Sequence, residues 1–212
     1  MSPRLIYALQ WVSWNTALAM IPVIAAYYIR RLSVQSGRGL KARLLAVLLG
    51  VIWLAFLPNT CYLLTEWRHF LDAVGYSQLF ARWKNDSRSA LELATYMMFY
   101  LAYSGVGVLT FTLAIRPIAM SARERGATLW VWGFPFFLAM AVGVYMGLVL
   151  RFNSWDLFLR PTQVWAVAIA LIHRPVLNMF ILGFAVFLWL VYLAMDIWVD
   201  GFQMRLNRYL SK

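Results

Sequence analysis

The sequence predicts an all-α integral membrane protein, a bundle of five transmembrane helices plus a short interfacial or re-entrant helix. Three observations carry this expectation. Of the 212 residues, 63% are hydrophobic and 13% are charged, whereas soluble domains run at about 45–50% and about 25%. Mean hydropathy is +0.69. Five stretches reach the roughly 20 mainly apolar residues that a helix needs to cross a bilayer. The length suits one polytopic domain over residues 1–212.

The first stretch, about Leu5–Ile29, is too long for a signal peptide, and its basic pair Arg30-Arg31 follows rather than precedes it. It therefore reads as a retained anchor. The second, Leu44–Thr65, carries Pro58 close to its end. The third, fourth and fifth are Ser89–Ile115, Ala127–Leu150 and Val176–Val199. Before the fifth, the twelve residues Thr162–His173 lie between Pro161 and Pro175. They are too few to cross and are expected at the interface or part-way in, with a tilted or broken sixth span as the alternative. Residues Glu66–Ser89 mix Trp67, Phe70, Leu71, Leu79, Phe80 and Trp83 with charges, the pattern of a surface helix with its apolar face down.

Basic residues orient the bundle. Eleven lysines and arginines fall in the loops after the first and third spans and in the tail, against eight on the other side. Arg30, Arg31, Arg38, Lys41 and Arg43 bias the first loop most strongly. Early positive charge favours the cytoplasm, which puts the N-terminus outside and the C-terminus inside. The net charge of +11 is spent in these short loops, so no nucleic-acid partner is expected; membrane lipid is. Cys61 is the single cysteine, excluding an intramolecular disulfide and a thiolate zinc cluster.

Two polar motifs interrupt the apolar chain: LPNTCYLLTEWRHF at 57–70 and LRFNSWDLFLRP at 150–161. With five spans both emerge on the outer side and form one candidate site. In the first, Asn59, Tyr62, Glu66 and His69 are spaced three, four and three apart, so a continuous helix would align them in one polar stripe. Glu66 and His69 have the carboxylate–imidazole spacing of metal-binding bundles, but side chains at the water interface cost little, and two or three possible ligands make no four-coordinate site. No metal is expected, and no residue pattern names a cofactor. In the second motif, Arg151 is placed to pair with Glu66 or Asp156, or to hold a phosphate or carboxylate. Trp155 suits the interfacial aromatic belt. Any catalytic role would fall to Glu66, His69 or Asp156.

Smaller expectations complete the reading. Glu92 would offset the positive start of the third span. Asn15, Ser104 and Thr110 would make interhelical hydrogen bonds, and Gly105, Gly107, Gly143 and Gly147 would be close-packing positions. No Gly-rich phosphate loop, nucleophile elbow, HExxH or inverted repeat is present.

The two motifs resemble the signatures of the domain of unknown function 1361 family, small bacterial multi-pass membrane proteins. PNTCYLLTEWRHF resembles Pro-Asn-x-x-Tyr-x-x-Thr-Asp…His, and GVYMGLVLRFNSWD resembles Gly-x-Tyr-x-Gly-Arg-x-x-Arg-x-Asn-Ser-Trp-Asp. The resemblance covers roughly residues 45–195. It matches at Pro58, Asn59, Tyr62, Thr65, His69, Tyr145, Gly147, Arg151, Asn153, Ser154, Trp155 and Asp156. Glu66 stands where Asp is usual, Cys61 replaces a second Pro, and Leu148 replaces the first Arg, leaving Arg151 the only guanidinium of its motif. The resemblance implies a bacterial inner-membrane location and names no reaction. Three functions fit: binding or processing of a lipid headgroup or lipid-linked substrate, an accessory subunit with a membrane-protein partner, and, less well, a small transporter.

Overall fold

The computed structural model describes residues 3–34, 39–65, 67–153 and 155–211. All regular structure among them is helical, in the order α1 (Pro3–Val34), α2 (Leu40–Phe56), α3 (Pro58–Thr65), α4 (Trp67–Ser77), α5 (Leu79–Arg82), α6 (Ser87–Arg123), α7 (Leu129–Leu148), α8 (Asp156–Leu159), α9 (Pro161–Ile172) and α10 (Pro175–Leu210). Five helical stretches are long and apolar enough to cross a membrane: Gln10–Val34, Leu40–Asp72, Ser87–Arg123, Val131–Leu148 and Pro175–Leu210. The expected bundle is present. Helix α9 has 12 residues and is too short to add a sixth span at 1.5 Å per residue.

Proline sets the punctuation. Pro161 and Pro175 each occupy the first position of a helix, where a missing N–H costs nothing because no partner carbonyl exists there. Pro58 opens α3 directly after α2, so its missing N–H takes the usual i−4 donor from the Leu54 carbonyl. At Pro58 the result is a break within the second span. Leu57 keeps helical angles (φ −56°, ψ −40°), and its N–H still reaches the Trp53 carbonyl at 2.9 Å. The next turn tightens: Thr60 N–H donates to Leu57 at 3.1 Å, and the Thr60 hydroxyl donates to the same carbonyl at 2.7 Å. The Phe56 carbonyl, released from that ladder, accepts from Asn59 Nδ2 at 2.9 Å. A backbone acceptor at membrane depth needs such a partner.

Helix packing fixes the direction of each element. Leu57, Phe111, Ile115, Phe137, Leu188 and Tyr192 are fully buried and join α2, α6, α7 and α10 in one core. Trp11 of α1 lies 5.9 Å from Tyr103 of α6, and Arg30 at the far end of α1 pairs with Glu124 just past α6. Helices α1 and α6 therefore run in the same direction. Trp53 of α2 donates its indole N–H to the Ala114 carbonyl of α6 at 2.8 Å, while Leu63 of α3 meets Gly107, so α2–α3 runs opposite to α6. Both polar motifs thus sit at the end of the bundle where α1 and α6 begin.

Residues 67–82 form two short helices laid on the start of α6, with Phe70, Val74 and Leu79 buried against Leu93 and Tyr100. Leu71, Phe80 and Trp83 face outward. The start of α6 is capped by Asp86, whose carboxylate accepts from the N–H of Arg88 (3.1 Å) and Ser89 (3.2 Å). Glu92, expected to serve that end, is exposed beyond the first turn; Asp86 is nearer the unpaired N–H groups and displaces it from the role.

Candidate functional site

The site begins with a close approach that glycine permits. In lipid, helices gain nothing from hiding apolar surface from one another, so contact depends on how near their backbones come. Helix α3 uses three glycines. A Cβ at Gly107 would stand 2.8 Å from Leu63 Cβ, and one at Gly143 would stand 3.0 Å from Pro58 Cγ. One at Gly147 would overlap the Tyr62 phenol outright. Pro58 and Tyr62 are one turn apart, as are Gly143 and Gly147, so the two pairs mesh with the chains running parallel. Gly105, expected to pack in the same way, has nothing within 4 Å. Ser104 of α6 adds a weak interhelical bond to the Leu63 carbonyl at 3.5 Å. Thr110 turns back to its own helix, at Val106 (2.9 Å) and Gly107 (3.1 Å), because its hydroxyl reaches the preceding turn more easily.

Beside this contact lies an open groove of about 660 Å3, inside the roughly 300–1,000 Å3 range of small-molecule sites. Its wall is overwhelmingly apolar, from Leu54, Phe136, Ala139 and Met146 to Val164 and Trp165. Tyr62 and Asn153 supply the polar groups at the signature end. The groove takes one side from the first motif (Pro58, Tyr62) and another from the second (Gly147, Phe152, Asn153). Tyr145 points elsewhere, lining a shallower recess of about 560 Å3 with His173 and Arg174.

The second motif is a helix exit folded on itself. Helix α7 ends at Leu148, and Arg151 takes a left-handed backbone (φ 59°) that lets the Phe152 N–H return to the Met146 carbonyl at 3.1 Å. Glycine usually fills such a position, because an L side chain crowds its own backbone there. The chain then turns again: Asp156 accepts the Asn153 N–H at 2.7 Å and donates its own N–H to the Asn153 carbonyl at 2.9 Å. A carboxylate three residues into a turn, bonded to the N–H that opens it, is the returning arm of a capping box. Asp156 is buried, and Arg160 Nε approaches it at 3.9 Å. Arg151 is exposed and forms no ion pair with any described carboxylate. The expected Arg151–Asp156 pair is therefore not made. The left-handed turn carries Arg151 outward while the Asn153 N–H occupies the carboxylate.

The predicted site residues thus divide. Asn59, buried, bonds the Phe56 carbonyl; Tyr62 covers Gly147; Thr65 lies on α3. Trp155 is 41% exposed, as an interfacial ring would be. The His69 ring is half-buried, edge-on to Trp11 of α1 at 5.0 Å. Tyr62 and His69 accordingly address different neighbours, α7 and α1. Glu66 and Ser154 lie outside the described residues.

At the opposite end the structure joins charges that the sequence left apart. Arg116, buried in α6, donates to the Asp196 carboxylate at 2.6 Å and to its carbonyl at 3.1 Å, and also bonds the Asp200 carboxylate. Arg123 lies 3.9 Å from Asp196. Arg116 falls just past the apolar stretch Ser89–Ile115, and Asp196 near the end of Val176–Val199. The helices instead continue past their apolar stretches, α6 to Arg123 and α10 to Leu210. The missed signal is Asp196-x-x-x-Asp200, one helical face aimed at a neighbour.

The groove, the glycine mesh and the NSWD turn all lie within the span of the match to the family model described as protein of unknown function (DUF1361), residues 14–191. Neither a curated protein nor a solved structure matches. With most of its length matched and both signatures at one end of the bundle, the chain belongs to the DUF1361 family.

Proposed function

We propose that this protein binds a membrane lipid, with an acyl chain in the groove beside α3 and α7 and the headgroup at the Tyr62–Asn153 end. The observation that carries the reading is the groove itself: an open, apolar channel with two polar groups at one end, built jointly by the two motifs. That polarity pattern is the polarity pattern of a lipid. Binding rather than chemistry is favoured because the Asp156 carboxylate serves its own turn and the His69 ring is packed on Trp11. The family resemblance implies a bacterial inner membrane, and the basic-residue count supports an orientation with the signature end and N-terminus outside and the C-terminus in the cytoplasm.

The test is native mass spectrometry of the full chain, delipidated and then given a phospholipid. Parent protein should retain lipid. Ala139→Trp, which puts a large ring into the groove from an exposed wall position, should lose it while keeping the parent's helical circular dichroism. Equal retention by both proteins would remove the groove from the argument.

A further inference from the structure

We propose that the lipid held by this groove is an anionic phospholipid, its phosphate-bearing headgroup met by Arg151 and Arg160. The inference rests on the lipid reading above and adds the chemistry of the headgroup. Residues 149–175, which connect α7 to α10, contain three arginines and a single acidic residue, Asp156. That carboxylate is buried and already accepts the Asn153 N–H, so it neutralises little of the surrounding positive charge. Arg160 is 63% exposed with only a loose 3.9 Å approach to Asp156, and Arg151 makes no ion pair among the described residues.

Position gives these charges a target. Arg151 directly precedes Phe152 and Asn153, which line the groove, and Arg160 lies between the lining residues Leu157 and Val164. A lipid whose chain fills the groove would therefore place its phosphate among guanidinium groups, whose planar donors match phosphate oxygens. The backbone at Arg151 is an independent indication. A left-handed residue costs glycine nothing, yet this position carries arginine. A tolerated backbone outlier is a reason to look for a use of the side chain.

The experiment presents the delipidated full chain with equimolar phosphatidylglycerol and phosphatidylcholine of identical acyl chains, read by native mass spectrometry. Parent protein should retain the anionic lipid about tenfold or more over the zwitterionic one, the scale expected of two surface arginines. Arg151→Gly/Arg160→Gln should bring the two lipids to within about threefold, with phosphatidylglycerol losing more retention than phosphatidylcholine, whose choline offsets its phosphate charge. Ala139→Trp should lose both. Equal retention of the two lipids by the parent, lost on Ala139→Trp, would overturn the charge inference and leave the lipid reading standing. A preference that survives the double substitution would overturn the assignment to these arginines. Retention of neither lipid by the parent would defeat the lipid reading itself.

Discussion

The phenol of Tyr62 lies across the backbone of Gly147, in the space that any side chain there would occupy. One aromatic ring and one missing methyl thus join the broken second span to α7. Gly147→Ala should destabilise the protein by about 1–3 kcal/mol, the usual cost of overpacking. Tyr62→Leu in the same chain should recover much of it, giving a coupling of about 0.5–3 kcal/mol in a double-mutant cycle. Gly105→Ala is the control, since its Cβ meets nothing; it should be neutral or stabilise by up to about 1 kcal/mol through helix propensity. Detergent melting curves of these three variants and of Tyr62→Leu alone decide the matter, and a harmless Gly147→Ala would mean the two elements can separate freely.

The Arg116–Asp196 contact predicts a different response at the far end of the bundle. Both side chains are largely buried, at 10% and 15% exposure. Removing one partner strands the other, which costs about 3–5 kcal/mol in buried pairs. Because Asp200 is half exposed, Arg116→Ala should fall near the lower figure, about 3 kcal/mol. Arg116→Met/Asp196→Leu should regain most of that loss, since the one carboxylate left without its arginine, Asp200, is half exposed to solvent. Equal loss in the single and double variants would show that the ion pair matters for more than its own compensation.

Of the two partners the sequence offers Arg151, Asp156 bonds the Asn153 N–H instead and Glu66 lies outside the described residues. An arginine in an ion pair would be missed on truncation, but this one sits exposed in a left-handed turn. Arg151→Ala keeps the strained backbone and should change stability by no more than about 0.5 kcal/mol, as surface substitutions do. Arg151→Gly removes the strain and should stabilise by up to about 1 kcal/mol. Melting temperatures of the parent and both variants suffice; a clear loss in Arg151→Ala would restore the ion-pair view.

What the residues disclosed depended on the range of the interaction. Apolar runs announce spans because lipid is the solvent, and Pro161 and Pro175 fence the short helix between them, although Pro22, Pro117 and Pro135 lie inside helices. Those signals are local, and the helices appear where they point. The site was half legible for the same reason. The motifs marked Tyr62 and Asn153, and both line the groove. Spacing alone put Tyr62 and His69 in one polar stripe, whereas Tyr62 meets Gly147 of α7 and His69 meets Trp11 of α1. Which neighbour Tyr62 or His69 meets depends on glycines and rings eighty or more residues away, or on α1, and no local pattern encodes that. Arg116 was hidden by a boundary placed where hydrophobicity ended, while hydrogen bonding carried the helix onward.

The cap of α6 gives a pH prediction with a definite sign. The Ser89 hydroxyl, then the Arg88 N–H and the Ser89 N–H, hold the Asp86 carboxyl below its usual range. A depressed carboxylate stabilises the fold fully above its unfolded value of about 3.9, and that contribution disappears as pH falls through the lower folded value. Asp86→Ala should therefore melt below the parent at pH 6 to 7, with the gap unchanged at pH 5 and closing as the buffer is taken toward pH 3. Asp86→Asn keeps a capping oxygen but has no charge to titrate, so its melting temperature relative to the Ala variant should stay constant over the same range. If the parent's advantage over Asp86→Ala persisted undiminished at the lowest pH the detergent complex survives, the carboxylate would not be the group bonding the Arg88 and Ser89 N–H groups, and α6 would owe its start to packing of Phe70 and Leu79 against Leu93 instead.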